Sequence, residues 1–230
     1  MPSSMLLPND YLNEVKRTFE QAGKPDVADG QMAYMRHQFE FYGLKMPVWS
    51  ALAKEIFQKN GLPEGKNLHQ LALLCMQDDY REVNYFGLEL VQKQLKKQDE
   101  NLIELLETLI QTRSWWDSVD WLAKLVGMHF LRYPVLIQPV TSRWMDSGYM
   151  WLQRVCLIFQ LTYKDKTDAA LLFQYIAQLK GSKEFFIQKA AGWALRQYSK
   201  THPEVVRGFL NEQPDLPALT RREAIKYLPQ

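Results

Sequence analysis

The sequence predicts an all-α protein that is built from antiparallel helix pairs. Apolar residues recur at three- and four-residue spacing along most of the 230 residues, as at 102, 105, 106 and 109. Alternating β-branched runs, which are typical of strands, are almost absent. Paired helical segments repeat about every 35–45 residues, as in HEAT-like solenoids. Because no strict consensus repeats, an irregular all-α globule is the alternative.

Short breaks that contain Gly or Pro separate about a dozen helices. Asn9 is a candidate N-cap for the first helix, which is expected to run to about Gln21. The second is expected to contain Gln38 and to end near 41–43, and Pro47 opens the third. The others are expected near 67–76, 80–95, 100–111, 115–131, 134–146, 150–162, 168–179, 184–200, 203–211 and 219–228. In the last of these, Thr220 and Glu223 have the spacing of a capping box.

Composition limits the possible functions. A hydrophobic content of 47% is enough for a substantial core, whereas the net charge of +2 is too small to indicate nucleic-acid binding by itself. No apolar run approaches a membrane span, and the N-terminus lacks the pattern of a signal peptide, so a cytoplasmic protein is expected. Cys75 and Cys156 lie in apolar helices and are expected to be reduced. No His or Cys spacing matches a metal site, so neither a metal nor a cofactor is expected.

Residues 114–120, Ser-Trp-Trp-Asp-Ser-Val-Asp, form the most unusual stretch. Ser114 is a candidate N-cap, and Asp117 three residues later completes a capping box. Asp120 has no such explanation. It follows Trp116 by four residues, so a carboxylate and an indole share one helix face. Such a pair can face a cationic or cation-forming ligand, although a surface Asp beside a core Trp is the commoner arrangement.

The helix expected at 184–200 carries a basic stripe. Its apolar face is predicted to consist of Ile187, Ala191, Leu195 and Tyr198. A second face combines three cations with an indole: Lys189, Trp193, Arg196 and Lys200. This composition is typical of nucleic-acid binding. A solvated basic face with Trp193 beneath lysine stems explains it equally well.

Arg154 is the only charged residue in the apolar segment 151–159. An arginine in such a place either pairs with a carboxylate or points into a groove. Asp120 is one candidate partner and a phosphate is another. The sequence leaves both open.

Several of these strings resemble the HEAT-like repeat DNA glycosylases for alkylated purines, the AlkD family. The matching stretches are 34–35 with 39–43, 114–120, 151–164, 183–200 and 221–226. The resemblance implies one glycosylase domain over residues 1–230, a right-handed superhelix whose concave face holds duplex DNA. The implied reaction is hydrolysis of the N-glycosidic bond of an N3- or N7-alkylated purine, without flipping the base into a pocket.

The resemblance also implies roles for single residues. The position of Asp120 matches the catalytic carboxylate. The positions of Trp116 and Trp193 match residues that lie against the sugar and backbone of the lesion nucleotide, and Arg154 matches a DNA-facing arginine.

The remaining expected DNA contacts are Tyr34 and Arg196, by resemblance, and Lys189 and Lys200 of the basic stripe. A monofunctional enzyme is expected, since no lysine Schiff base is needed, and a monomer, since a capped solenoid needs no partner. A non-catalytic HEAT-like DNA-binding protein and a protein-binding scaffold are the alternative functions.

Overall fold

The computed structural model describes residues 6–228. The α-helices of this range are α1 (Pro8–Ala22), α2 (Pro25–Tyr34), α3 (Met46–Asn60), α4 (Gly65–Gln77), α5 (Arg81–Gln94), α6 (Leu102–Gln111), α7 (Trp116–Arg132), α8 (Ile137–Asp146), α9 (Met150–Ile158), α10 (Ala169–Leu179), α11 (Phe185–Tyr198), α12 (Pro203–Glu212) and α13 (Ala218–Ala224). Short 3₁₀ helices lie at Leu95–Lys97, Pro134–Leu136, Lys164–Lys166 and Ile225–Tyr227. Within residues 6–228, β pairing is limited to an isolated bridge between Glu40 and Tyr80. The predicted all-α class is confirmed.

The chain divides into two compact units, Met1–Arg113 and Ser114–Gln230. In the first unit, α4 packs against α5, and α1 packs against α4. In the second unit, α7, α8 and α11 all pack against α9, and α11 packs against α13. Helices that follow one another closely in the chain therefore pack in pairs, as the sequence predicts. A single domain over residues 1–230 stays a prediction, because compactness alone does not decide whether the units fold separately.

The core of the first unit is aromatic. The buried ring of Phe86 on α5 contacts Tyr11 and Phe19 of α1 and Phe57 of α3. The hydroxyl of Tyr11 donates to the carbonyl of Gly61 at 2.8 Å, so its polar end is satisfied inside the core. Helices α1, α3 and α5 therefore share one apolar centre.

The expected continuation of the second helix to about 41–43 is wrong, because α2 ends at Tyr34. Arg36 and His37 adopt the left-handed conformation, with φ of 54° and 55°, which no helix tolerates. The chain then runs as a loop whose three consecutive N–H groups at 42–44 donate to the buried carboxylate of Glu82. That carboxylate supplies acceptors that a helix would otherwise have to provide.

Both predicted capping boxes are wrong. Helix α7 begins at Trp116 and is preceded by Trp115 without a side-chain cap, and the Ser114 hydroxyl instead bonds with the Tyr149 hydroxyl at 2.8 Å. Helix α13 begins at Ala218, so Thr220 lies inside it and donates to the carbonyl of Gln188 at 3.0 Å. In each case, the hydroxyl has a partner from another part of the second unit.

Helix α11 packs against both α9 and α13 in the second unit. Its predicted apolar face at 187, 191, 195 and 198 is buried, which confirms that prediction. Gly192 faces α13: a Cβ there would lie 2.5 Å from Cβ of Glu223 and 2.7 Å from the carbonyl oxygen of Thr220. A glycine is required for this approach of the two helices. None of the described helices is both long and apolar enough to span a membrane.

Candidate active site

Asp120 lies in the second turn of α7, at the edge of a cleft of about 270 Å³ in the second unit. We call this the Asp120 cleft. Its lining consists of Asp120, Lys124, Ile158, Phe159, Leu161, Thr162, Trp193 and Gln197. The packing of α7 and α11 against α9 therefore brings the carboxylate and the Trp193 indole to one cavity. Both residues were singled out from the sequence.

Arg154 holds the Asp120 carboxylate through two parallel hydrogen bonds. Its Nε donates to Oδ1 at 2.8 Å and its Nη2 to Oδ2 at 2.9 Å, while Nη1 donates to the carbonyl of Phe186 at 2.6 Å. The Arg154 side chain is 4% exposed and that of Asp120 is 20% exposed. Of the two partners that the sequence leaves open for Arg154, the structure has the carboxylate. A direct DNA contact of Arg154 stays a prediction.

The Asp120 carboxylate can still accept hydrogen bonds from a ligand while it is paired with Arg154. An ionised carboxylate has about four acceptor positions, and the guanidinium uses one on each oxygen. Burial raises the pKa of Asp120, as does the nearby Asp117, whereas the hydrogen bonds and charge of Arg154 act in the opposite direction. Arg154 therefore both orients the carboxylate and favours its charged form.

Three aromatic rings support this pair from behind. Trp115, Trp151 and Phe186 contact one another, with ring centroids 5.0–6.0 Å apart. Phe186 also supplies the carbonyl that accepts from Arg154. The cluster therefore fixes the backbone on which the guanidinium rests. Trp115 and Phe186 could not be assigned to the site from the sequence, because their contacts join segments that are distant in the chain.

Two of the three cations of the basic stripe, Lys189 and Arg196, converge on one carboxylate, and Lys226 joins them there. Lys189 Nζ and Arg196 Nη1 lie 2.6 Å and 2.8 Å from the Glu223 oxygens, and Lys226 Nζ lies at 2.8 Å. Lys200 is exposed, and its Nζ lies 5.1 Å from the centroid of the Tyr227 ring. DNA contacts by the lysines and by Arg196 stay predictions.

Two other predicted residues lie outside the Asp120 cleft. Trp116 is the half-buried first residue of α7 and is not part of the cleft lining. Tyr34 is the last residue of α2 in the first unit, is 69% exposed and borders a pocket of about 470 Å³ there, with Phe41 and Tyr85. Their predicted roles against DNA are not tested by this geometry.

Lys124 and Gln197 border the cleft although the sequence analysis did not single them out. Lys124 follows Asp120 by four residues, a spacing that places it on the same helix face and that could have indicated it. Gln197 follows Trp193 by four residues on α11 and could have been found in the same way. Within the described part of the chain, no group of three or more His, Cys, Asp or Glu residues could hold a metal ion.

Comparisons with known proteins agree with the resemblance that the sequence motifs indicate. The chain matches the family model described as DNA alkylation repair enzyme over residues 15–228. A predicted DNA alkylation repair enzyme from Enterococcus faecalis has a similar structure, with 32% identity and a TM-score of 0.85 over 90% of this chain and 97% of that one.

Two proteins of Streptococcus mutans are each 18% identical and share the fold. AlkD2 has a TM-score of 0.60 over 79% of this chain and 91% of its own, and smu.31 from strain UA159 has a TM-score of 0.58 over 80% and 98%. A search of curated proteins finds no match. The resemblance and the helical-repeat fold class that the sequence predicts are both confirmed by these matches.

Proposed function

Because the chain belongs to the family of DNA alkylation repair enzymes, we propose that it is a monofunctional DNA glycosylase. It hydrolyses the N-glycosidic bond of N3- or N7-alkylated purines in duplex DNA. The observation that carries this proposal is the Asp120 carboxylate, which a buried arginine holds at the edge of a cleft that Trp193 also lines.

The chemistry of the substrate matches a site with one carboxylate. Alkylation at N3 or N7 gives the purine a positive charge. When the bond from C1′ to the purine breaks, the electron pair leaves with the base, which becomes neutral and needs little acid catalysis. The sugar that remains is oxocarbenium-like, and a negative carboxylate stabilises it. Water then adds to C1′ and gives up a proton to Asp120 or to solvent, which leaves an abasic site.

Arg154 and the tryptophans support this step. Arg154 opposes the protonation that burial of Asp120 favours, and this favours the charged carboxylate that the developing sugar cation requires. Trp116 and Trp193 add attraction through their ring faces, worth roughly 0.5–2 kcal/mol each. Because the lesion is activated by its own charge, the proposal requires no pocket that reads a flipped base.

The duplex is held through its backbone. We assign Arg196, Lys189, Lys200 and Tyr34 to contacts with phosphate and sugar, which position DNA without reading its sequence. Such binding weakens steeply as the salt concentration rises. The proposed active form is a monomer on double-stranded DNA.

The test is release of N7-methylguanine from a duplex by the purified protein in the presence of a chelator. Free base and an unbroken abasic strand are expected with the wild type, and no free base with Asp120→Asn. Asp146→Asn is the matched control, because Asp146 is an exposed residue at the end of α8 that makes the same charge change. Salt-sensitive duplex binding without release would favour a non-catalytic DNA-binding protein. Neither binding nor release would favour a protein scaffold.

A further inference from the structure

Among the described residues of the second unit, Glu223 is the carboxylate with the most ion-pair partners, and it has no role in the chemistry proposed above. Its side chain is 3% exposed, yet its oxygens accept from Lys189 and Arg196 of α11 and from Lys226. The three distances are 2.6–2.8 Å. A buried acid with three cationic partners from two segments is a built arrangement and differs from an ordinary surface ion pair.

The backbone around Glu223 is arranged for this contact. Gly192 lets α13 approach so closely that any Cβ at this position would collide with Glu223. One turn before Glu223, the Thr220 hydroxyl donates to the carbonyl of Gln188. These two contacts fix α13 against α11 at the level of the basic stripe.

The partners of Glu223 lie on both sides of Trp193 along α11. Lys189 precedes Trp193 by four residues and Arg196 follows it by three, so all three side chains share one helix face. Trp193 itself lines the Asp120 cleft. A carboxylate that binds both neighbours therefore restrains the part of α11 that forms this wall.

We propose, on the basis of the glycosylase function above, that Glu223 is a positioning residue for excision. It holds Lys189 and Arg196 in place on either side of Trp193, so that the indole and the two cations meet the lesion nucleotide in one fixed arrangement. It acts through α11 and does not touch the substrate.

The charge balance agrees with positioning and not with neutralisation. Three cations around one carboxylate leave two net positive charges on this face. Arg196 gives one of its five N–H donors to Glu223, and the others can reach a phosphate. Hydrogen bonds from Lys189 and Lys226 hold the pKa of Glu223 at about 2, so it is ionised under assay conditions. Long side chains that are ordered before DNA arrives lose less freedom on binding.

The experiment compares excision by Glu223→Gln and Glu204→Gln under single-turnover conditions at saturating protein. Glu204 is the matched control, since its replacement removes the same charge but its side chain is 76% exposed on α12 and pairs with the nearby Arg207. We expect Glu223→Gln to lower the saturating rate about tenfold, equivalent to about 1.4 kcal/mol. Its Kd for undamaged duplex should change less than about threefold. The loss of a negative charge favours DNA binding, and the loss of order in the Lys189 and Arg196 side chains opposes it. Glu204→Gln should behave as the wild type, and Glu223→Asp should recover part of the rate.

If Glu223 only neutralised the positive charge of its partners, Glu223→Gln would bind duplex DNA more tightly and leave the saturating excision rate unchanged. That result would overturn the proposal. A double-mutant cycle gives a second criterion, because Glu223→Gln should add little to the loss caused by Arg196→Met. If Glu223→Gln does not fold, Glu223→Asp should still slow excision while Lys226→Met does not, and equal rates for both would refute positioning. Absence of release by the wild type would contradict the glycosylase proposal instead.

Discussion

Replacing Asp120 by Asn perturbs the proposed catalytic centre with the least change in shape. The introduced amide would keep one oxygen that can accept a hydrogen bond from Arg154. Its NH₂ group would replace the other carboxylate oxygen, so that a donor would face a guanidinium N–H donor. Two hydrogen bonds between ionised groups are therefore reduced to one, which the guanidinium donates to a neutral amide oxygen. The Arg154 guanidinium, 4% exposed, loses its counter-charge.

Two magnitudes follow from this geometry. Removing one member of a buried ion pair costs about 3–5 kcal/mol of stability, and the 20% exposure of Asp120 reduces this to about 2–3 kcal/mol. A domain with the usual stability of about 5–15 kcal/mol stays folded. The catalytic loss is larger in effect, because removing preorganised electrostatic stabilisation of a transition state lowers rates by about 10²–10³.

The assay is single-turnover release of N7-methylguanine, with a thermal melt of each variant to follow stability. The double variant Asp120→Asn with Arg154→Gln separates the two effects, since it also removes the unpaired buried charge. We expect it to melt above Asp120→Asn alone and to remain as inactive. Release by Asp120→Asn within about threefold of the wild type would refute the catalytic role. Recovery of release in the double variant would show that the unpaired arginine, and not the missing carboxylate, had caused the loss.

Two further predictions concern pH and packing. Arg154→Gln should move the acidic limb of the excision rate to higher pH, because it removes the partner that lowers the pKa of Asp120 and leaves the burial that raises it. Single-turnover rates across about pH 5–8 measure this shift. An acidic limb that stays in place or moves to lower pH would contradict the prediction. Gly192→Ala should destabilise the protein by about 1–3 kcal/mol in urea unfolding, because its Cβ would meet the backbone and Glu223 of α13. Gly208→Ala on α12, with open space at Cβ, should be neutral or stabilising, and equal losses for the two would contradict the close approach.

Helix positions and buried faces follow from local periodicity, which the sequence records directly. The apolar face of α11 was predicted residue by residue for this reason. The capping boxes at Ser114 and Thr220 failed because that pattern considers only donors within one turn. The two hydroxyls instead bond to Tyr149 and to the carbonyl of Gln188, at sequence separations of 35 and 32.

The candidate site shows the same difference between features within one helix, which residue spacing predicts, and contacts between helices, which it does not. The burial of Arg154 required a partner, and the sequence narrowed the choice to a carboxylate or a phosphate. The choice itself depends on how α7 and α9 pack, since 34 residues separate Arg154 from Asp120. Residue spacing likewise identified the cations of α11. It assigned Glu223, which pairs with two of them, to a helix cap.

Asp120 and Glu223 are both held by cations, but the net charge of the two arrangements differs. Asp120 has one arginine and leaves a neutral pair, whereas Glu223 has three cations and leaves a positive surface. Ion pairs of this kind add little net stability relative to an apolar replacement of both partners, because desolvation offsets much of the attraction between buried ions. A neutral, oriented pair suits the proposed chemistry, since a carboxylate paired with an arginine repels the phosphates less than an unpaired carboxylate would. A positive cluster suits the approach of the backbone. Trp193 lines the Asp120 cleft and is flanked on α11 by two partners of Glu223, so replacing either carboxylate should slow excision.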